Sequence, residues 1–175
     1  MNCNMAKKNK EVKNKIKKVI KKWNEAAEII GTLDVVIKGV KYDLDIFDTL
    51  RVRNTQNYEE VLTKMARAAS IFWSLGSMKT DIEEELSTLE LEYEIWLESH
   101  KGNYNDEKSE GGRKRQVIIK LPKSYREKNM EIIVTKKVLG RVSRAKNSVE
   151  KMCFMLQSIG AMLRDEKTTS YMGSK

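Results

Sequence analysis

The chain has one proline, one histidine and two cysteines in 175 residues, and each scarcity closes off a class of function. With His100 alone, neither a Ser-His-Asp arrangement nor the Glu-x-x-His pairs of a di-iron bundle can be assembled. Cys3 and Cys153 have no metal-ligand spacing and do not make a disulfide scaffold; Cys153 falls on an apolar helix face as a small core residue. No glycine-rich phosphate loop precedes a helix, so no metal, no cofactor and no enzymatic chemistry are expected. No apolar run reaches transmembrane length, and MNCNMAKKNK lacks the apolar core of a signal peptide. The expectation is a soluble, cytoplasmic protein of a reducing cell interior (a host cell, for a phage-encoded chain) with no membrane partner.

What is abundant is charge, and it is segregated. The net charge is +9, with +8 over residues 1–22, −2 over 23–53, −7 over 54–100 and +10 over 101–175. Such segregation suggests a polyanionic partner for the basic parts and pairing between an acidic helix and a basic one.

The periodicity is mostly helical. Val12, Ile16, Val19, Trp23, Ala27 and Ile30 recur at helical spacing through a lysine-rich segment, predicting a basic amphipathic helix or arm that ends near Gly31. DVVIKGVKYDLDIF is rich in β-branched and aromatic residues and predicts one or two short strands, or an extended arm, with Gly39 at a bend. A long helix is predicted over 58–100, with Asn57 and Glu60 as a capping box. Its apolar face includes Val61, Met65, Ala68, Phe72, Leu75, Ile82, Leu86, Leu89, Tyr93 and Trp96. Gly76 and Thr80-x-x-Glu83 allow a kink or a short break there, and eight acidic residues without a basic one fill 81–98. A polar connection follows over 101–124, in which QVIIK has strand character. A last helix is predicted after the capping box Ser124-Tyr-Arg-Glu127. Its seam is Val138, Val142, Ala145, Val149, Met152, Leu156, Ile159 and Leu163, and its flank is basic.

The resulting expectation is an all-α fold, a long antiparallel coiled-coil-like hairpin with a basic N-terminal helix or arm and a short extended segment. Its parts are the arm (1–32), the hairpin domain (33–166) and a flexible tail (167–175). An isolated hairpin leaves apolar faces exposed. A homo-oligomer is therefore expected, with Val138, Val142, Val149, Met152, Leu156 and Ile159 at its interface.

LDIFDTLRVR, residues 44–53, is close to the nucleophile segment of haloacid-dehalogenase-type phosphatases. Those enzymes need strands alternating with helices, and almost no such alternation follows Asp45. Asp and Thr here suit the approach to a helix, where they hydrogen-bond locally. The legible function is binding. Arg113, Lys114, Arg115, Lys120, Lys123, Arg126 and Lys128 lie in or beside the connection with Tyr104 and Tyr125 flanking, and Lys17, Lys18, Lys21 and Lys22 lie on the N-terminal segment. Cations that track phosphates beside aromatics that stack on bases are the composition of a single-strand binder. The alternative for the same residues is a basic loop that serves solubility.

The order of elements also resembles a family. A short DIFD segment leads into a long helix with Tyr58 and Trp73, an aromatic close at YEIWLESHKG, a polar loop and a heptad helix ending LQSIGAMLRDE. Over residues 43–166 this resembles the UvsY-type phage recombination mediators. The resemblance implies a single-stranded-DNA-binding protein that loads a strand-exchange recombinase, helps displace single-strand-binding protein, and acts as a ring-like homo-oligomer. The family's first long helix ends basic, whereas EEELSTLELEYEIWLES is acidic. The DNA contact would then fall to the loop or the N-terminal arm. The rival expectation is a structural or assembly protein, such as a phage scaffold or a helical subunit of a ribonucleoprotein.

Overall fold

The structure is a computed structural model that describes residues 10–11, 14–15, 17–25, 28, 31–51 and 58–172. Cys3, Val12, Ile16, Ala27, Ile30 and Asn57 lie outside the described residues. The elements are a helix α1 (residues 17–25), strands β1 (Thr32–Ile37) and β2 (Val40–Asp45), a short helix α2 (Ile46–Leu50), the long helix α3 (Tyr58–Lys101), a 3-10 turn (Gly102–Tyr104), α4 (Glu110–Lys120) and α5 (Pro122–Met172).

The molecule is built on α3 and α5, helices of 44 and 51 residues. Their neighbours show the direction. A β-carbon added at Gly160 would lie 3.8 Å from the Met65 sulfur, one added at Gly76 would lie 3.9 Å from the Lys146 side chain, and Glu90 pairs with Lys136 at 2.7 Å. Position rises along one helix as it falls along the other, so the pair is antiparallel. Val61, Ala68, Leu75 and Ile82 of α3 meet Val142, Val149, Met152, Leu156 and Ile159 of α5 in one core. Full burial of each larger apolar side chain contributes about 1.5–3 kcal/mol. No break interrupts the helix at Gly76. Thr80 Oγ1 donates back to the Gly76 carbonyl at 3.3 Å, and the helix runs through.

One half of this pair carries a β-hairpin. β1 alternates so that Leu33, Val35 and Ile37 are buried while Thr32, Asp34 and Val36 face out. β1 and β2 pair antiparallel from Thr32↔Asp45 to Ile37↔Val40. The two-residue turn has Lys38 at φ 49° and Gly39 at φ 78°. Two left-handed residues match the twist of a hairpin, which is why glycine suits the second position. The acidic helix holds this turn. Lys38 Nζ lies 3.2 Å from Glu84 and 3.9 Å from Asp81, and the Lys38 N–H points at Glu85 at 3.4 Å.

Asp45 caps a helix. Its Oδ1 accepts from the Asp48 N–H at 3.0 Å, which makes it the N-terminal cap of α2 at the end of a two-stranded sheet. Behind α2, Trp23 is fully buried and its indole N–H donates to the Leu50 carbonyl at 2.7 Å. Ile20 and Trp23 belong to the same core cluster as the long helices. The end of the basic segment therefore packs into the same core as the long helices. At the other terminus α5 continues to Met172, beyond the expected start of a flexible tail at 167.

Two further expectations change. The connection of 101–124 is not extended: QVIIK belongs to α4. Only Leu121 separates α4 from α5, which starts at Pro122 and not after Ser124. Proline has no N–H to leave unsatisfied and its φ is already helical, so it favours the first helical position. The α5 seam is used within one chain. Val142, Val149, Met152, Leu156 and Ile159 have no exposed surface, and Val138 is half-buried against the same core. These side chains are packed within the chain, and other apolar side chains remain exposed. The exposed apolar ones include Leu91 and Ile95 on α3 and Met130, Ile133 and Val134 on α5.

Candidate nucleic-acid interface

The basic connection is built as a short capped helix docked on the closed end of the pair. Ser109 adopts extended backbone and its hydroxyl accepts from the Gly112 N–H at 3.0 Å. A β-carbon at Gly112 would sit 2.7 Å from a Glu107 carboxylate oxygen and 3.0 Å from the Ser109 hydroxyl, so a larger residue there would push the Glu107 side chain aside. Val117 is the buried face of α4, and Leu97 and Ile132 are the buried residues of α3 and α5 at that end.

A charged clamp fixes the start of α4. Lys101 is 8 % exposed, and its ammonium reaches Glu98 at 2.6 Å and Glu110 at 2.9 Å. The hydrogen bonds that Lys101 donates to Glu98 and then to Glu110 raise its pKa, and the bond accepted from Lys101 holds the Glu110 carboxyl below its ordinary range. Glu110 also places a negative charge in the first turn of α4, where it complements the helix dipole.

This docking sorts the expected cations. Arg113 is half-buried and its Nε donates to the Glu107 carbonyl at 3.1 Å, so it braces the loop. Lys114, Arg115 and Lys120 are exposed on α4. Lys123 and Arg126 are exposed at the start of α5, and Lys128 is half-buried. These residues share one end of the molecule. Lys17, Lys18, Lys21 and Lys22 are exposed on α1, at the other end. Since α1 sits on α2, and Lys64 of α3 donates to the Thr49 carbonyl of α2, the separation is roughly 50 Å along α3 at 1.5 Å per residue. The two groups do not converge on one site. Lys21 is also loosely paired with Glu25 at 3.9 Å.

The aromatic component differs from the expected one. Tyr104 and Tyr125 are half-buried, and Tyr125 joins a row of rings from α3. Tyr93 lies 6.2 Å from Tyr125 and 6.1 Å from Trp96, which lies 5.1 Å from His100. Burial, followed by the nearby Tyr125 hydroxyl, raises the Tyr93 pKa, so Tyr93 stays a neutral phenol near neutral pH. Tyr93 and Trp96 read in the sequence as apolar stripe. The signal available there was the aromatic spacing Tyr93-Trp96-His100, at steps of three and four on one helix face.

His100 is committed locally. Its Nδ1 lies 2.7 Å from the Trp96 carbonyl and 3.0 Å from the Ser99 hydroxyl. Cys153 is half-buried, and burial ahead of the Glu150 charge pushes its thiol pKa up, away from nucleophilic character. Among the described residues no cluster of His, Cys, Asp and Glu could hold a metal ion, and no helix is long and apolar enough to cross a membrane. The site can supply cations, amide and hydroxyl donors, and half-buried aromatic faces. No family model, curated protein or solved structure matches the chain.

Proposed function

We propose that the protein binds single-stranded nucleic acid, DNA in preference to RNA, as a recombination mediator. It would help load a strand-exchange recombinase and displace single-strand-binding protein. The observation that carries the binding is the end formed by α4 and the start of α5. Lys114, Arg115, Lys120, Lys123 and Arg126 are exposed there, and among the described residues none of them forms an ion pair. Folding does not require five such cations together, whereas a phosphate backbone does. The Tyr93–Tyr125 and Trp96–His100 ring pairs lie at the same end of the molecule. The mediator role and its partners rest on the family resemblance alone. In this reading the long pair is an antiparallel coiled coil, the protein acts in the cytoplasm as a ring-like homo-oligomer, and no catalytic step or cofactor is involved.

The test is a titration of labelled single-stranded DNA, single-stranded RNA and duplex DNA at several salt concentrations. The expected result is tightest binding to single-stranded DNA, with log affinity falling by about 0.7 per phosphate neutralised for each decade of salt. Salt-insensitive binding, or none, would contradict the proposal.

One observation favours the assembly-protein alternative. Leu91, Ile95, Met130, Ile133 and Val134 are exposed apolar side chains on the outer faces of one half of the rod, and packing subunits would cover them. That reading predicts a stable assembly with weak nucleic-acid binding that loss of the α4 cations leaves unchanged.

A further inference from the structure

Another set of cations lies outside the sites described above. Lys137, Arg141, Arg144, Ser148 and Lys151 recur along α5 at steps of four and three, which places them in one line on the helix. The line spans about 21 Å at 1.5 Å per residue. Its four cations are exposed. Beside Arg141, Arg144 and Lys151 an open cleft of about 470 Å³ separates α5 from Thr32 and Leu33 of β1, with Asn147 and Ser148 adding polar groups to its lining.

The neighbours of this line are engaged, and the line is not. Lys136 is paired with Glu90 at 2.7 Å, and Lys146 sits over the Phe72 ring at 5.0 Å. Among the described residues Lys137, Arg141, Arg144 and Lys151 form no ion pair. Asp34, an outward acid of β1, is held by Lys41 at 3.6 Å. Glu150 lies four residues from Lys146, on the other flank of α5. Unpaired like charges at these steps repel one another and disfavour the helix, so the fold does not account for them. Two arginines offer planar donor forks matched to phosphate oxygens.

We propose that this line is a phosphodiester track. One nucleic-acid strand lies along α5 with its phosphates on Lys137, Arg141, Arg144 and Lys151. Asn147, Ser148 and Thr32 supply hydrogen bonds to phosphate and sugar oxygens from the walls of the cleft. The proposal rests on the nucleic-acid reading above and extends it. Toward the α4 end the same face of α5 carries exposed Val134, Met130 and Lys123. The track therefore joins the α4 cations to the middle of the rod, with apolar side chains between for the bases.

The experiment compares the full-length wild type with R141Q/R144Q, using a labelled thirty-nucleotide oligothymidylate at several salt concentrations. Circular dichroism and light scattering are run on both proteins. Glutamine keeps helix propensity, so an unchanged thermal transition is expected. Loss of two phosphate contacts should make the salt slope shallower by about 1.4 and weaken binding roughly tenfold at 0.15 M salt. R141K/R144K, which keeps the charges, should recover most of the slope. Equal affinity and slope in wild type and R141Q/R144Q would overturn the track while leaving the α4 site standing. A wild type that fails to bind the strand would overturn the track together with the nucleic-acid reading. Unchanged strand binding with a fall in mass by light scattering would overturn it in favour of a contact with the acidic α3 face of a second copy.

Discussion

Replacing Trp23 tests whether the basic N-terminal helix is part of the fold or an appendage. Its side chain is fully buried, and its indole N–H is bonded to the Leu50 carbonyl. A buried tryptophan removes about 150–250 Å² from water. At about 25 cal/mol per Å² that amounts to at most about 4–6 kcal/mol. Trp23→Ala should therefore cost about 3–5 kcal/mol, up to the docking free energy of α1. Beyond that ceiling α1 leaves while the long pair stays folded, and the denaturant dependence falls with the smaller surface exposed. Trp23→Phe separates the two contributions, since it keeps most of the apolar contact and orphans the Leu50 carbonyl, at about 1–3 kcal/mol. Trp73 is 74 % exposed, and Trp73→Phe should stay within about 0.5 kcal/mol of wild type. The assay is guanidinium unfolding followed by far-ultraviolet circular dichroism. Trp23→Ala and Trp23→Phe both indistinguishable from wild type would refute the docking of α1.

Val149→Asp places an unpaired charge where no surface is exposed and should cost at least about 3 kcal/mol, whereas Ile133→Asp, at a partly exposed site, should cost far less; urea unfolding of both variants checks the contrast. Gly39→Val, at φ 78°, should destabilise the hairpin by about 1–2 kcal/mol, read as faster amide exchange across residues 32–45 at constant pH. The clamp at Lys101 gives a pH dependence of fixed sign. Glu110 is held low, so its contribution is present above the ordinary carboxylate range and fades as pH falls through the lowered value. Lys101 is held high, so its contribution is present below its ordinary value and fades as pH rises through the raised one. Protease cleavage within α4 should rise toward both extremes, and Glu110→Gln should flatten the acid limb; an unchanged acid limb would count against the clamp.

The long helices were legible because their apolar residues repeat over many turns. Val142 to Leu163 form a core face, and of the readings open for the β-branched residues around Gly39, one or two strands or an extended arm, the two strands form and pair. What sequence alone misplaced was decided by tertiary contacts. Ile118 and Ile119 favour a strand locally, yet the Ser109 cap, the burial of Val117 and the Lys101 clamp make that segment a helix. The heptad seam suggested partners between copies, since periodicity reports that a face is buried but not which chain buries it. Of the candidate cations, sequence could not separate the brace Arg113 from the exposed Lys114 and Arg115, because that depends on where Glu107 turns back. The line from Lys137 to Lys151 was visible as a basic flank. Its cleft appears only once β1 is laid against α5.

The central claim is that the α4 end neutralises phosphates. Its most direct test is the salt dependence of binding to single-stranded DNA by wild type and by K114A/R115A/K120A. These three side chains are exposed and form no ion pair among the described residues, and Arg113 is left in place because it braces the loop. The account predicts an unchanged fold by circular dichroism and a slope of log affinity against log salt shallower by about 2. Equal slopes and equal affinities would contradict it and leave the α4 charge with no role beyond solubility.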